Sequence, residues 1–357
     1  MHPAIKRAED FGQRIGIRTP ILLAPMAAAS APSLSIAVAN AGGLGSCGVL
    51  LMQPEEIAAW SREVRSNSNG AFQLNVWIPD PPPVRDATHE TQVREFLANW
   101  GPAVPKEAGD AAPPDFDRQL DAMLEAGPPI ISSIMGLYPR HFIEKMKKRG
   151  ILWFANISTV SEAKAAEAAG ADVIVAQGSE AGGHRGSFSA QDAIARQVGL
   201  FSLLPAVVDA VKLPVVATGG IADARGVAAA LMLGASAAQI GTGFLRCPEA
   251  KIHPAWADAL GRAAPEDTMV SRVFSGRAGR SLATEYARAA TAKSAPEPAP
   301  YPVQRGLSSL MRIEAGKAGD INRMQAWAGQ SAGLAKAIPA AEVLDGAWSG
   351  ARALLEG

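Results

Sequence analysis

A histidine stands within a glycine-rich stretch of the sequence. Residues 176–188 read AQGSEAGGHRGSF, in which four glycines fall within nine positions and His184 follows two of them. Imidazole has an unperturbed pKa near 6.5, so it can act as a base, an acid or an anion partner at neutral pH. A ring that only holds its loop together is the alternative. Glu180 and Arg185 flank the histidine, and either they tune its charge or they are solvated.

Two glycine turns indicate a phosphate site. Gly219 and Gly220 follow PVVAT, and Gly241 and Thr242 follow AAQI. Glycine lets backbone N–H groups approach a phosphate closely, and a helix N-terminus adds a favourable dipole. Ordinary tight turns are the alternative, but the pairing of two such turns and the hydroxyl of Thr242 favour phosphate.

Uncharged amides end two apolar runs. Asn75 lies in FQLNVW and Gln177 ends VIVAQ. Paired amide donors and acceptors suit a neutral heterocycle, whereas capping of a loop is the alternative. Together with a phosphate site, these amides favour an aromatic nucleotide such as FMN. Met26, which follows Ala-Pro, either packs in the core or faces a flavin ring.

Eight short apolar runs place these residues at strand ends. The runs alternate with alanine-rich amphipathic stretches, which indicates parallel strands in βα units. Eight units favour an α/β fold of the (β/α)8 TIM-barrel class, in which function lies at the carboxyl ends of the strands. The rival doubly wound sheet would place GxGxxG after the first strand, but the chain reads APMAAASAPS there. The predicted strands are 21–26, 43–47, 72–77, 129–133, 152–156, 172–177, 215–218 and 238–241.

Two helices of these units carry end signals. Thr159 and Glu162 have capping-box spacing, and Gly170 suits the position after the helix end. The next such helix is expected to begin near Asp223 and to stop at Gly234.

The organisation predicted from these patterns is a barrel with additions. Residues 1–264 are expected to form the barrel, with a proline-rich, elaborated connection at 79–128. Residues 265–357 are expected to form a helical extension or lid near the barrel mouth.

Composition narrows the class of protein. The 357 residues hold 34 basic and 34 acidic side chains, so no overall basic field attracts nucleic acid or an anionic membrane. Two cysteines without a CxxC pair argue against a disulfide scaffold, and no metal site can be assembled. The N-terminus lacks the apolar region of a secretory signal and no membrane helix is expected, so we expect a cytoplasmic protein. No stripe of residues indicates an oligomer interface.

At its motifs the chain resembles the nitronate monooxygenase family, formerly called 2-nitropropane dioxygenases. The most specific match is GADVIVAQGSEAGGHRG, whose EAGGHRG form is typical of a bacterial branch that acts on small nitronates. Other matching segments are LLAPM, ANAGGLGSCG, QLNVW, PVVATGGIADARGVAAALMLGA, QIGTGFLRCPEA, FSGRAGR and MQAWAGQ.

The resemblance implies an FMN-dependent enzyme that oxidises alkyl nitronates to a carbonyl compound and nitrite with O2, and it leaves the use of neutral nitroalkanes open. It implies that His184 is the catalytic residue, which binds the nitro group or removes an α-proton; a protonated ring would favour the anion. Tyr301 would close the substrate pocket. The cofactor contacts that it implies are Met26, Asn75, Gln177, Gly182, Gly219, Gly220, Gln239, Ile240, Gly241 and Thr242.

Three departures from the family pattern border the expected pocket. Ala28 and Ala29 stand where glycine is common, and Ile134 stands where the fourth strand usually carries a histidine. The asparagine that usually follows the SGR-type motif is not evident. Because related barrels are NAD(P)H-dependent quinone or enoyl reductases, such a reductase is the alternative function.

Overall fold

The computed structural model describes residues 1–27, 29 and 31–357, so the departure at Ala28 lies outside the described residues. Eight parallel strands hydrogen-bond in the order β1-β9-β8-β6-β5-β4-β3-β2. The sheet closes because the Leu23 amide donates to the Leu44 carbonyl at 2.9 Å and the Leu44 amide donates to the Ile21 carbonyl at 3.1 Å. The strands are β1 (Ile21–Leu23), β2 (Gly45–Gly48), β3 (Phe72–Trp77), β4 (Ile130–Ile134), β5 (Leu152–Ile157), β6 (Val173–Gln177), β7 (Gly183–His184), β8 (Val215–Thr218), β9 (Ala237–Ile240), β10 (Thr268–Ser271) and β11 (Gly279–Leu282).

The predicted TIM barrel is confirmed, and the doubly wound alternative is wrong. Each of the eight predicted runs overlaps one barrel strand. The first run is the least accurate, because β1 ends at Leu23 and Met26 lies in the loop beyond it.

Helices surround the barrel, and their end signals behave as predicted. Thr159 and Glu162 form a capping box, and Gly170 adopts a left-handed conformation with φ of 94°. The Asp223 carboxylate caps the later helix, which begins at the next residue. The helices are α1 (Pro3–Arg14), α2 (Pro32–Asn40), α3 (Pro54–Asn67), α4 (Ala87–Leu97), α5 (Phe116–Ala126), α6 (Arg140–Lys148), α7 (Val160–Ala169), α8 (Leu200–Ala210), α9 (Ala224–Met232), α10 (Pro254–Arg262), α11 (Glu285–Ala290), α12 (Val303–Leu307), α13 (Ser309–Ala318) and α14 (Ala340–Glu356).

The lower half of the barrel interior is apolar. Leu22, Phe154, Val175 and Val216 point inward from four strands, are almost wholly buried and belong to one cluster. Phe11 of α1 joins this cluster, so the first helix plugs the amino end of the barrel. The interior is therefore a packed core and not a channel.

Two segments depart from the regular βα pattern: the connection between β3 and β4, and the C-terminal extension. Both are at positions where the sequence predicted additions to the barrel. The connection between β3 and β4 contains α4, a short 3-10 helix at Lys106–Asp110 and α5. In the C-terminal extension, β10 and β11 form an antiparallel sheet with β7, so this extension reaches the loop that carries His184.

The last helix, α14, packs against α9 and α2. Its Leu344 and Ala351 belong to the main core cluster between strands and helices. It is thus part of the outer layer of the barrel, and the domain boundary at residue 264 stays a prediction. None of the helices among the described residues is long and apolar enough to cross a membrane.

Candidate active site

Polar side chains form the upper layer of the barrel interior. Side chains alternate across a strand, so residues two positions apart share a face. Val175 lies in the apolar layer and Gln177 follows on the same face; Phe154 and Asn156 show the same change on β5. Six strands therefore supply one polar group each to the carboxyl end of the barrel: Asn75, Ser132, Asn156, Gln177, Thr218 and Gln239.

These groups line a cavity of about 250 Å³. This volume is several times that of a bound water, so the cavity suits a small molecule. Ten of the predicted site residues line it: Met26, Asn75, Gln177, Gly182, His184, Gly219, Gly220, Gln239, Gly241 and Thr242.

Two predicted residues do not line the cavity. Ile240 is fully buried in the core between the barrel and its helices, because strand alternation turns its side chain away from the interior. Tyr301 stands behind Trp77, with the ring centroids 5.3 Å apart. Burial raises the pKa of Tyr301, and its hydroxyl is buried without a hydrogen-bond partner in the described part of the chain.

The glycine turns have conformations and contacts that exclude larger residues. Gly219 and Gly220 adopt φ of 109° and 70°, a region that side chains other than glycine rarely occupy. A Cβ atom on Gly182 would lie 2.5 Å from the Gly329 nitrogen. The Gly329 amide donates to the Thr242 hydroxyl at 3.0 Å, so the C-terminal extension is fastened to the second glycine turn.

The side-chain amides at the strand ends differ in which of their hydrogen-bonding atoms remain available to a ligand. Gln177 is engaged by its own loop, since its Oε1 accepts from the Gly186 amide at 2.7 Å and its Nε2 donates to the His184 carbonyl at 3.2 Å. Asn75 donates from Nδ2 to Ser132, which leaves its Oδ1 without a partner among the described residues. Asn156 Oδ1 is buried and has no partner within the same residues.

His184 is held between aromatic rings. Its centroid lies 4.4 Å from that of Trp77 and 4.6 Å from that of Trp327, both in edge-to-face geometry. Its Nε2 lies 2.7 Å from the Ser275 hydroxyl. Burial lowers the pKa of His184 to about 3, assisted by the charges of three arginines, Arg277, Arg305 and Arg312. This lowered pKa favours the neutral ring at neutral pH, the form that can accept a proton.

The two charged neighbours of His184 in the sequence make hydrogen bonds to the backbone. Arg185 is buried and donates to the carbonyls of Gln177 and Gly178, which fixes the turn after β6. The Glu180 carboxylate accepts from the Leu200 amide at the N-terminus of α8. Both residues shape the loop, and the charges that act on the ring come from the C-terminal extension.

That extension supplies two cationic groups to the cavity. Arg312 is bound to neutral groups only, with Nη1 donating to Gln325 Oε1 at 3.0 Å and Nη2 to the Arg305 carbonyl at 2.7 Å. The guanidinium of Arg305 has no hydrogen-bond or ion-pair partner in the ranges described. No aspartate or glutamate is found among the described residues that line the cavity. Arg277, in contrast, is buried and paired with Asp80.

Several lining residues had no role in the sequence-based prediction. Asn156 lies near the end of β5 as Asn75 lies near the end of β3, so the same pattern of amides near strand ends would have found it. Trp77, Ser275 and Trp327 lie inside the motifs QLNVW, FSGRAGR and MQAWAGQ, but nothing in their spacing shows that they meet at one ring. Ile134 lines the cavity at the position of the departure from the family pattern.

The chain is similar in sequence to proteins named nitronate monooxygenase. The family model for nitronate monooxygenase matches residues 11–346. A nitronate monooxygenase of Paraburkholderia phytofirmans is 40% identical over 92% of this chain and 91% of its own length. That of Pseudomonas aeruginosa is 36% identical over 94% of this chain and 97% of its own length.

Solved structures agree with these relatives. Nitroalkane oxidase from Streptomyces ansochromogenes superposes with a TM-score of 0.85 at 35% identity and covers 95% of this chain and 98% of its own. FabK from Thermotoga maritima has a TM-score of 0.76 at 28% identity and covers 98% and 97% of the two chains. The chain therefore belongs to the nitronate monooxygenase family, a family of oxidoreductase enzymes.

Proposed function

We propose that this protein is an FMN-dependent enzyme that converts alkyl nitronates to a carbonyl compound and nitrite with O2. The observation that carries the proposal is the composition of the cavity. A neutral histidine, two arginines and two glycine turns line it, and no acidic side chain is found among its described lining residues. Such a site favours a small anion beside a planar cofactor.

The residues fit FMN. Gly219, Gly220 and Gly241 line the cavity at the ends of β8 and β9, and glycine lets backbone N–H groups approach a phosphate closely. Asn75 and Asn156 hold acceptor atoms without partners in the described chain, and amide groups of this kind suit the polar edge of a flavin. The bound flavin would supply the redox chemistry, by taking electrons from the substrate and passing them to oxygen.

The chain's own residues supply placement, charge and a proton acceptor. Arg305 is expected to attract the nitronate, since its guanidinium is not neutralised by an acidic neighbour in the described chain. Trp77 and Trp327 cover the ring of His184 and limit the access of water. The neutral imidazole can take the α-proton from a nitroalkane or contact the nitro group of a nitronate.

Substitution of the histidine tests the proposal. His184→Ala is expected to retain FMN, because the glycine turns and amides remain, and to lose about a hundredfold or more of kcat/KM, the usual contribution of a general base. His141→Ala, at an exposed position on α6, is the matched control and should leave activity unchanged. Turnover of a nitronate by His184→Ala at the wild-type rate would overturn the assignment.

The reductase alternative has a separate signature. A quinone or enoyl reductase on this barrel would reduce its flavin with NADH or NADPH. We expect neither nicotinamide to bleach the FMN-loaded protein rapidly, and rapid bleaching would favour the reductase.

A further inference from the structure

The partner of the His184 ring is a buried serine on the C-terminal extension. Ser275 Oγ lies 2.7 Å from His184 Nε2 and is 3.2 Å from the Arg277 carbonyl, to which it donates. The Arg277 amide in turn donates to Ser275 Oγ at 3.3 Å. Ser275 is 1% exposed, so its contacts are not shared with bulk solvent.

The Ser275 hydroxyl has one proton, which it can donate either to the Arg277 carbonyl or to His184 Nε2. If it goes to the Arg277 carbonyl, Nε2 must carry the ring proton and donate to Oγ. If it goes to Nε2 instead, the Arg277 carbonyl has no donor in the described chain, which is unfavourable for a buried carbonyl. The first arrangement satisfies every group, including the Arg277 amide.

We propose that Ser275 is a positioning residue that fixes His184 in the tautomer with the proton on Nε2, which leaves Nδ1 to accept the α-proton of a neutral nitroalkane. Nδ1 has no hydrogen-bond partner among the residues described, and His184 lines the cavity. The inference rests on the proposed function, in which His184 takes the α-proton of a nitroalkane.

The step balances without a further reagent. The α-C–H bond breaks, its electron pair stays on the substrate as the nitronate, and the proton binds Nδ1. Burial, together with the charges of Arg277, Arg305 and Arg312 that face the ring, favours its neutral form before the substrate binds. Arg277 is paired with Asp80, whereas Arg305 and Arg312 line the cavity and would stabilise the nitronate as it forms. A nitronate beside the ring then favours the imidazolium.

Nitrogen-15 NMR of the histidine-labelled, FMN-loaded protein tests the tautomer without turnover. The His184 signals, assigned by their loss in His184→Ala, should show a protonated Nε2 and an unprotonated Nδ1 that does not titrate between pH 5 and 8. A proton on Nδ1 would overturn the proposal. Because this result does not depend on any reaction, it remains informative if the enzyme fails to oxidise nitronates.

Kinetics of Ser275→Ala test the consequence. Without Oγ, a proton on Nε2 would be buried and unpaired, so the ring should shift toward the tautomer protonated on Nδ1. We expect kcat/KM for a neutral nitroalkane to fall ten- to a hundredfold. The kcat/KM for the preformed nitronate should stay within about twofold of the wild-type value. Ser275→Thr, which keeps a hydroxyl, should restore nitroalkane turnover.

Ser271→Ala is the matched control, since Ser271 is a buried serine of the same extension whose hydroxyl has no partner in the described chain. It should change neither substrate's kcat/KM. Equal losses with both substrates in Ser275→Ala, or an unchanged nitroalkane rate, would refute the role of Ser275.

Discussion

Gly182 lies where the barrel meets the C-terminal extension, and Gly182→Ala probes that junction. A Cβ at this position would be 2.5 Å from the Gly329 nitrogen and 2.7 Å from the Ala328 carbonyl carbon. Ordinary contact begins at 3.4 Å, so one segment must move by about 0.9 Å, the difference between the two distances. Both obstacles are backbone atoms, so rotation of a side chain cannot relieve the contact.

The movement has two costs. Overpacking costs about 1–3 kcal/mol, and the hydrogen bond from Gly329 to Thr242, now 3.0 Å, would be lost at about 1 kcal/mol. We therefore expect the free energy of unfolding to fall by about 2–4 kcal/mol. Because Thr242 belongs to the proposed phosphate turn, FMN affinity should also fall by about ten- to a hundredfold.

Flavin fluorescence titration and thermal unfolding measure the two effects. Gly346→Ala is the control, since Gly346 is exposed on α14 and a Cβ there meets nothing within 4 Å. Alanine at this helical position should stabilise the protein by about 0.5–1 kcal/mol and leave FMN binding unchanged. Wild-type stability and FMN affinity in Gly182→Ala would show that the two segments do not meet as described.

Three further substitutions test charge, pH dependence and the core. Arg305→Met should raise KM for a nitronate about tenfold with little change in kcat. The control Arg140→Met, on exposed α6, should leave KM unchanged. An unchanged KM for Arg305→Met in steady-state assays would show that Arg305 does not bind the substrate. The unfolded His184 ring binds a proton below about pH 6.5, whereas the pKa of the folded ring is lowered to about 3 by burial. The contribution of the neutral ring to stability is therefore complete above pH 6.5 and is lost as the pH falls toward 3. His184→Gln should make the free energy of unfolding depend less steeply on pH over this window. A slope equal to that of the wild type would contradict a neutral ring. Phe154→Ala should lower the free energy of unfolding, measured with denaturant, by about 3–5 kcal/mol. Phe201→Ala, at a site 74% exposed, should leave it almost unchanged. Equal effects of the two substitutions would contradict the packed lower half of the barrel.

The barrel and its upper polar layer were predictable because local patterns specify them. Short apolar runs between capped helices predicted the strands, and the amides near the ends of β3 and β6 marked the face that holds the cavity. The same regularity explains the misplacement of Ile240, since a side chain next to Gln239 on a strand must face outward.

The surroundings of His184 were not predictable in this way. Ser275, Arg305 and Trp327 are separated from it by 91 or more positions, and they belong to the C-terminal extension, whose β11 pairs with β7. No local pattern in the sequence encodes that pairing. The lowered pKa of the ring depends on burial and on the charges of the same extension, neither of which the residues next to it in the sequence reveal.

Anaerobic mixing of the FMN-loaded protein with propyl-2-nitronate, followed by flavin absorbance, tests the central claim most directly. We predict that the nitronate alone changes the flavin spectrum within the time of turnover, and that admission of O2 restores the spectrum with release of nitrite. A flavin that is unaffected by the nitronate but is bleached rapidly by NADH or NADPH would contradict the claim.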